Sequence, residues 1–194
     1  MVTKISPADK KPSARERLLA AASELFYEEG INTVGIDRVI ERAGVAKASL
    51  YDCFGSKEEL IRQYLVVRHE TRRARILDKL AAYKTPRTKL LGVFDVMGAL
   101  LEEQNFRGCA FLRASAEARP DSKVKSACDD SRAWLRGLFV ALAREAGVVK
   151  ADALAQQLVL LYDGVSVSAQ MDRDASAAAA ARKVATALLD AALA

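Results

Sequence analysis

Residues 30–60 read GINTVGIDRVIERAGVAKASLYDCFGSKEEL, and the pattern of this segment predicts the fold of the N-terminal part of the chain. Three apolar side chains at helical spacing predict a short helix over 36–42. Gly44 ends that helix in a tight turn, because glycine reaches positive φ at no steric cost. A second short helix is predicted over 47–53, with Leu50 turned inward. Two short helices joined by a glycine-containing turn are the helix-turn-helix pattern.

The sequence on both sides of this stretch supplies the helices against which the pair can pack. Ser13 and Glu16 form an S-x-x-E capping box that opens a first helix, which Gly30 ends. Ser56 and Glu59 form a second capping box, which opens a longer helix. The short pair cannot bury enough apolar area alone, so we expect it to lean on the first helix and on the start of the fourth.

The composition extends the helical prediction to the whole chain. Among 194 residues there are about 36 alanines, four prolines and ten glycines. Alanine is the best helix former, and a barrel or sandwich needs more frequent turn signals. The fold class is therefore predicted to be all-α. Beyond the fourth helix, helices are predicted over 86–103, 109–118 and 120–146, then from Asp152 and from Asp174.

Several classes of site and location find no support in the sequence. The first eleven residues are polar and charged, which predicts no signal peptide, and no apolar run is long enough for a transmembrane helix. Three cysteines without a CxxC pair and a single histidine, His69, predict no metal site, no cofactor and no Ser-His-Asp triad. We expect a protein of the reducing cytoplasm that does not bind membranes.

The net charge of +5 is unevenly distributed. Residues 1–56 are balanced, whereas residues 57–89 carry ten basic and four acidic side chains. The simpler interpretation is a solvated helix face. The alternative is a positive flank beside a nucleic-acid contact surface.

Residues 13–60 resemble the DNA-binding domain of the TetR family of bacterial transcriptional regulators. The most specific matches are Ala43-Gly44-Val45, Leu50-Tyr51, Phe54 and Ser56-Lys57-Glu58-Glu59-Leu60. The resemblance implies a helix-turn-helix domain over 13–59, after a flexible arm over 1–12. It also implies a helical domain over 60–194 that binds a small-molecule effector and forms a homodimer on palindromic operator DNA.

Seven positions match the usual DNA contacts of the family or lie beside them. The second helix of the pair would enter the major groove, with its N-terminal residues at the base edges. Position 35 offers only a backbone contact, and an aspartate at 52 either accepts from a cytosine N4 or faces away. Ala46 stands where the family usually has a serine, which removes a helix N-cap. The expected DNA-binding residues are Gly35, Lys47, Ala48, Ser49, Tyr51, Asp52 and Lys57.

The C-terminal domain offers candidates for a pocket and for a dimer interface, with ordinary core packing as the alternative for both. The expected pocket residues are Phe94, Met97, Cys109, Phe111, Trp134 and Tyr162. The expected dimer contacts on the last two helices are Leu158, Leu161, Val165, Val184 and Leu188.

The leading hypothesis is a repressor released from its operator by an effector. An alternative is that Cys109, in a Gly-Cys segment resembling one found in part of the family, senses electrophiles or oxidants for the same switch. A helical adaptor that binds protein is a more distant alternative, and a small helical enzyme lacks a catalytic constellation. The effector, the operator sequence and the sign of regulation stay open.

Overall fold

The computed structural model describes residues 11–172, 174 and 176–194, and within them the only regular elements are nine α-helices, as predicted. The predicted N-terminal arm lies outside the described residues, apart from residues 11 and 12. The helices are α1 Ala14–Glu29, α2 Ile36–Ala43, α3 Lys47–Phe54, α4 Lys57–Leu80, α5 Pro86–Leu101, α6 Ala110–Glu117, α7 Lys123–Glu145, α8 Ala151–Asp172 and α9 Ser176–Leu193.

The chain divides into two compact units, one ending at Tyr64 and the other beginning at Leu65. Helix α4 contains the boundary. Among the described residues, none of the helices combines the length and the apolar character needed to cross a bilayer.

The N-terminal unit packs α1, α2, α3 and the first turns of α4 around one small core. The predicted capping box begins α1, because the Ser13 side chain accepts from the Glu16 N–H and the Glu16 side chain accepts from the Ser13 N–H. Gly30 ends the helix at φ 101°, as predicted. The rings of Phe26 and Tyr64 meet edge to face with centroids 5.7 Å apart. Completely buried core side chains include Leu18, Val34, Val39, Leu50 and Leu60.

The C-terminal unit surrounds a larger core formed by α5, α7, α8 and α9, with the second half of α4 adding Ile76 and Leu80. Phe94 on α5 stacks on Phe139 of α7 at 5.9 Å. Helix α6 packs on α7 and buries only Ala114. The remaining α6 side chains are therefore at least partly open to solvent.

One predicted helix start was wrong. We expected a helix from Pro120, but α7 begins at Lys123 because the Ser122 side chain caps it by accepting from the Lys125 N–H at 3.1 Å. At the other helices the predicted and observed ends differ by a few residues at most. Asp174 lies before α9 as predicted, and its Oδ1 accepts from the Ser176 N–H at 2.8 Å.

Candidate functional site

The turn between α2 and α3 has a left-handed residue at its centre. Gly44 has φ 61° and ψ 45°, and its N–H donates to the Glu41 carbonyl at 3.1 Å. The N–H of Val45 donates to the Ile40 carbonyl at 3.3 Å. These bonds close the end of α2 and set the direction in which α3 leaves.

Arg17 on α1 stabilises this turn by two hydrogen bonds. Its Nη1 donates to the Ala43 carbonyl at 3.2 Å and to the Gly44 carbonyl at 2.9 Å. The last carbonyls of a helix lack intrahelical partners and carry partial negative charge, so a guanidinium is a suitable donor there. This role of Arg17 could not be predicted from the sequence, because residues 17 and 44 become neighbours only when α1 packs on α2.

Helix α3 has one face fixed in the core and one face presented to solvent. Leu50 and Phe54 are buried, and the Arg15 guanidinium lies over the Phe54 ring, 5.2 Å from its centroid. The other face carries polar and small side chains. Lys47, Ala48, Tyr51 and Asp52 are exposed there, and Ser49 is half-buried.

Lys47 is paired with an aspartate on the neighbouring helix. Its Nζ donates to Asp37 Oδ1 at 2.9 Å, and both side chains are mostly exposed. The hydrogen bond and the charge of Asp37 raise the pKa of Lys47, so the amine is charged at neutral pH. An exposed pair of this kind is weak, so a phosphate can replace the carboxylate.

The two helix N-termini that flank α3 hold the other expected contacts. Gly35 is the exposed N-cap of α2, and no side chain caps that helix. Lys57 is half-buried in the first turn of α4, where the Ser56 Oγ accepts from the Glu59 N–H at 3.1 Å. The structure thus places the expected contacts on α3 and at the starts of α2 and α4.

The six expected pocket residues of the C-terminal unit divide into two groups. Phe94, Met97 and Tyr162 are buried in the core, and the Phe94 and Tyr162 rings are tilted with centroids 6.5 Å apart. Burial raises the pKa of the Tyr162 hydroxyl, with smaller effects from neighbouring charges. The second group is only half-buried and consists of Cys109, Phe111 and Trp134.

A polar cluster lies beside this second group and joins α4 to α7. Arg72 Nη2 donates to the backbone oxygen of Ser131 at 3.1 Å and to its Oγ at 2.7 Å. The same Oγ is 3.1 Å from His69 Nδ1. The Arg72 guanidinium also lies over the Phe111 ring at 4.7 Å, and the rings of His69 and Trp134 meet edge to face at 5.5 Å.

The charges around Ser131 act on both basic side chains of the cluster. Arginine only donates, so the buried Ser131 hydroxyl accepts from Arg72. Burial first, and then the charge of Arg72, lower the pKa of His69. No local sequence pattern predicts a role for Arg72 or His69 in this unit.

A separate open cleft of about 600 Å³ lies between α4 and α5. Its walls include Arg75, Lys79, Tyr83 and Asp95, and none of the expected pocket residues lines it. The Tyr83 hydroxyl donates to Asp95 Oδ2 at 2.9 Å, and the Arg75–Glu103 ion pair measures 2.6 Å. Most polar groups of the cleft are thus bonded to one another.

The expected dimer residues lie in different environments. Leu158 and Val165 are buried in the core of their own unit, so their side chains are not available to a second protomer. Leu161 and Leu188 are half-buried, and Val184 is exposed. Further apolar side chains are exposed on the outer face of α8 at spacings of seven and four residues. They are Leu160, Val167 and Met171.

The fold and the N-terminal sequence both match known proteins. The family profile of the bacterial regulatory proteins, tetR family, matches residues 18–64. A TetR-family transcriptional regulator from Streptomyces coelicolor superposes with a TM-score of 0.87 at 30% identity, covering 93% of this chain and 96% of that one. A protein from Streptomyces avermitilis described as a TetR transcriptional regulator gives 0.85 at 32%, covering 93% and 98%.

A match to a functionally named protein is confined to the N-terminal part. The HTH-type transcriptional activator FasR of Mycolicibacterium smegmatis is 46% identical over 61 residues, which are 31% of this chain and 25% of FasR. The next two curated relatives are matched over 54% and 39% of their length. The chain therefore spans about a quarter to a half of the length of the curated relatives it matches.

Proposed function

The chain belongs to the TetR family of bacterial transcriptional regulators, and we propose that it is a homodimeric repressor released from a palindromic operator by a small-molecule effector. The observation that carries the proposal is the division of α3 into two faces. Leu50 and Phe54 anchor the helix, while Lys47, Tyr51 and Asp52 remain exposed. A helix held on one side and polar on the other suits insertion into a major groove about 12 Å wide.

Each polar side chain on the outer face of α3 has a chemical partner on DNA in this proposal. Lys47 donates to a phosphate or to a guanine edge, and the hydroxyls of Ser49 and Tyr51 donate to phosphate oxygens. Asp52 accepts from a cytosine N4, because a carboxylate beside a phosphate would be repelled. Ala48 allows close approach to the groove.

The starts of α2 and α4 bind the DNA backbone in this proposal. Lys57 and the start of α4 attract a phosphate, since a helix N-terminus carries partial positive charge. Gly35 brings its backbone close to the strand without a side chain.

The test is a binding titration on operator DNA selected from a random pool. We expect the logarithm of the affinity to fall linearly with the logarithm of the salt concentration, by about 0.9 for each phosphate contacted. Lys47→Ala and Tyr51→Ala weaken binding, and the loss of a phosphate contact lowers the salt slope by about 1. Lys150→Ala, at an exposed site of the C-terminal unit, is the control. Equal binding by all three variants favours a protein-binding adaptor instead.

The effector acts by binding one conformation better than another. A ligand changes operator affinity only as far as its own affinity differs between the DNA-competent and DNA-incompetent states. Cys109, Phe111 and Trp134 are half-buried beside the buried Phe94, Met97 and Tyr162, which supports a pocket in this region. A reporter gene placed behind the operator tests the sign of regulation, because deletion of a repressor raises the expression of the reporter.

Cys109 supports a second candidate function, thiol sensing by the same switch. Its side chain is half-buried and lies within electrostatic range of Cys128. Burial first, and then Cys109, raise the pKa of the Cys128 thiol to about 11, so this second thiol stays protonated. Thiolates react and thiols do not, so only Cys109 is a candidate sensor of the two. Quinone treatment should then abolish operator binding in the wild type but not in Cys109→Ser.

The outer faces of α8 and α9 support the homodimer. Leu160, Val167 and Met171 on α8 and Val184 on α9 are large apolar side chains exposed to solvent. The α9 face is continued by small residues, at Ala180, Ala187 and Ala191. An apolar surface of this kind on a protein in water is covered most simply by a second copy of itself.

A further inference from the structure

Arg72 is an uncompensated charge in the C-terminal unit. Among the described residues no carboxylate lies within ion-pair distance of its guanidinium, and its only hydrogen bonds go from Nη2 to Ser131. The neighbouring Arg73, by contrast, has Glu70 at 3.7 Å. A half-buried guanidinium that has only a neutral hydroxyl, a carbonyl and an aromatic ring as its partners leaves its charge without a counter-ion.

Two nitrogen donors of Arg72 indicate the kind of group that could bind there. Its Nε is enclosed and has no hydrogen-bond partner in the described part of the chain. Its Nη1 likewise has no hydrogen-bond partner there, but it is not enclosed. Nη1 is thus a donor that an incoming group can reach. Because arginine cannot lose its charge near neutral pH, the matching group is an anion.

Aromatic side chains lie close to Arg72 and to its neighbour His69. Phe111 lies under the guanidinium, and the charge of Arg72 reaches Tyr162 and His69. Phe111 and Trp134 are large side chains left half-exposed, which suits contact with an apolar ligand body. An inorganic anion would use only the charge and none of these rings.

We propose that the effector of this regulator is an organic oxyanion, a carboxylate or phosphate ester on an apolar body, whose charged end binds Nη1 of Arg72. This inference rests on the proposed function and names the chemical class of its ligand. Ser131 positions the guanidinium by accepting from Nη2, and His69 Nδ1 lies 3.1 Å from the same Ser131 Oγ. Phe111 and Trp134 contact the apolar body.

Trp134 makes the proposal directly testable, because it is the single tryptophan of the chain. The probes are phenylacetate, phenyl phosphate and the neutral phenylacetamide, titrated into the free protein with fluorescence excited at the tryptophan. We expect a saturable change with at least one anion and at least about tenfold weaker binding of the amide. The tighter of the two anions identifies the carboxylate or the phosphate as the ligand class.

Three variants separate the guanidinium from bulk charge. Arg72→Gln should weaken anion binding by at least about tenfold without affecting the amide, and Arg72→Lys should fall between it and the wild type. Arg73→Gln removes the same charge one residue away and should bind like the wild type. If Arg72→Gln does not fold, Arg72→Lys and the anion–amide comparison on the wild type decide.

Four results would overturn the inference: equal binding of amide and anions, wild-type binding by Arg72→Gln, an equal loss in Arg73→Gln, or no saturable change with either anion. Operator binding of the same preparation is measured without probe. A protein that binds its operator but neither anion refutes this inference and leaves the proposed function intact. Anion binding without operator binding refutes the proposed function and leaves the anion-binding site at Arg72 intact.

Discussion

Gly44 shows how one residue sets the geometry of the DNA-binding unit. Its φ of 61° lies in the left-handed region, and a Cβ added there would meet nothing closer than Arg17 Nη1 at 3.7 Å. A side chain therefore fits in space but strains the backbone. Gly137, in the middle of α7, is the opposite case, because its backbone is helical and a Cβ would contact nothing within 4 Å.

Gly44→Ala should destabilise the protein by about 1 kcal/mol through backbone strain. Gly137→Ala should stabilise it by about 0.5–1 kcal/mol, because alanine is the better helix former. Urea unfolding followed by circular dichroism measures both. The same sign for the two variants would contradict the assignment of Gly44 to a strained position.

His69 should make stability depend on pH. Its pKa is lowered from 6.5 by burial and by Arg72, with Arg73 acting in the same sense and Glu70 and Asp130 opposing. The unfolded chain thus binds the proton more readily, so stability is complete above about pH 6.5 and is lost as the pH falls below it. In His69→Gln the urea midpoint should change less with pH between about pH 7.5 and pH 5 than in the wild type. An equal change with pH in the two proteins would refute the lowered pKa.

The residues that sequence analysis missed share one physical property. Arg17 and Arg72 act on Gly44 and Ser131, partners that lie far along the chain. An arginine on a helix surface has the same local pattern whether it ends in water or on a carbonyl. Periodicity and capping motifs report on neighbours within a few residues, so long-range polar contacts leave no local signal.

Among the elements, α3 lacks a side-chain N-cap, whereas α1 and α7 each have one. Its N-cap is Ala46, with φ −72° and ψ 151°, and no side chain bonds to its first turn. Ser122 occupies the same position before α7 with nearly the same backbone angles, φ −84° and ψ 154°, and does cap its helix. The two sites therefore form a matched pair.

Ala46→Ser should stabilise the N-terminal unit by about 1 kcal/mol, since its hydroxyl can accept from the first turn of α3. Ser122→Ala should destabilise the C-terminal unit by a similar amount. Thermal unfolding monitored by circular dichroism gives the sign of each change. If Ala46→Ser lowers the melting temperature, the cap position is occupied by something that the serine displaces.

Element boundaries were predictable where a local signal marked them. The ends of α1 were confirmed at Ser13 and Gly30, because a capping box and a left-turning glycine act through adjacent residues. The start of α7 was wrong because Pro120 suits a first helical turn as well as it suits a loop. Only the Ser122 cap decides between them. Whether an apolar α8 residue lies in the core or at the surface likewise depends on packing, as the buried Leu158 and the exposed Leu160 show.

In the whole molecule, an exposed apolar stripe should control dimer formation. It consists of Leu160, Val167 and Met171 on α8 and Val184 on α9. Val167→Glu puts a charge at its centre and should give a monomer, because burying an unpaired carboxylate is costly. Val149→Glu is the control, at a valine that is 94% exposed between α7 and α8. Light scattering after size exclusion gives the mass. A dimeric Val167→Glu protein would place the interface elsewhere.

The same stripe has a consequence for gene dosage. If two protomers must meet before an operator is occupied, the number of dimers at low expression varies with the square of the number of chains. A tenfold fall in synthesis then lowers the dimer concentration by about a hundredfold, once the concentration of chains is below the dissociation constant of the dimer. If the protein is a repressor, as we propose, its dilution would then turn the promoter on over a narrow range of regulator concentration.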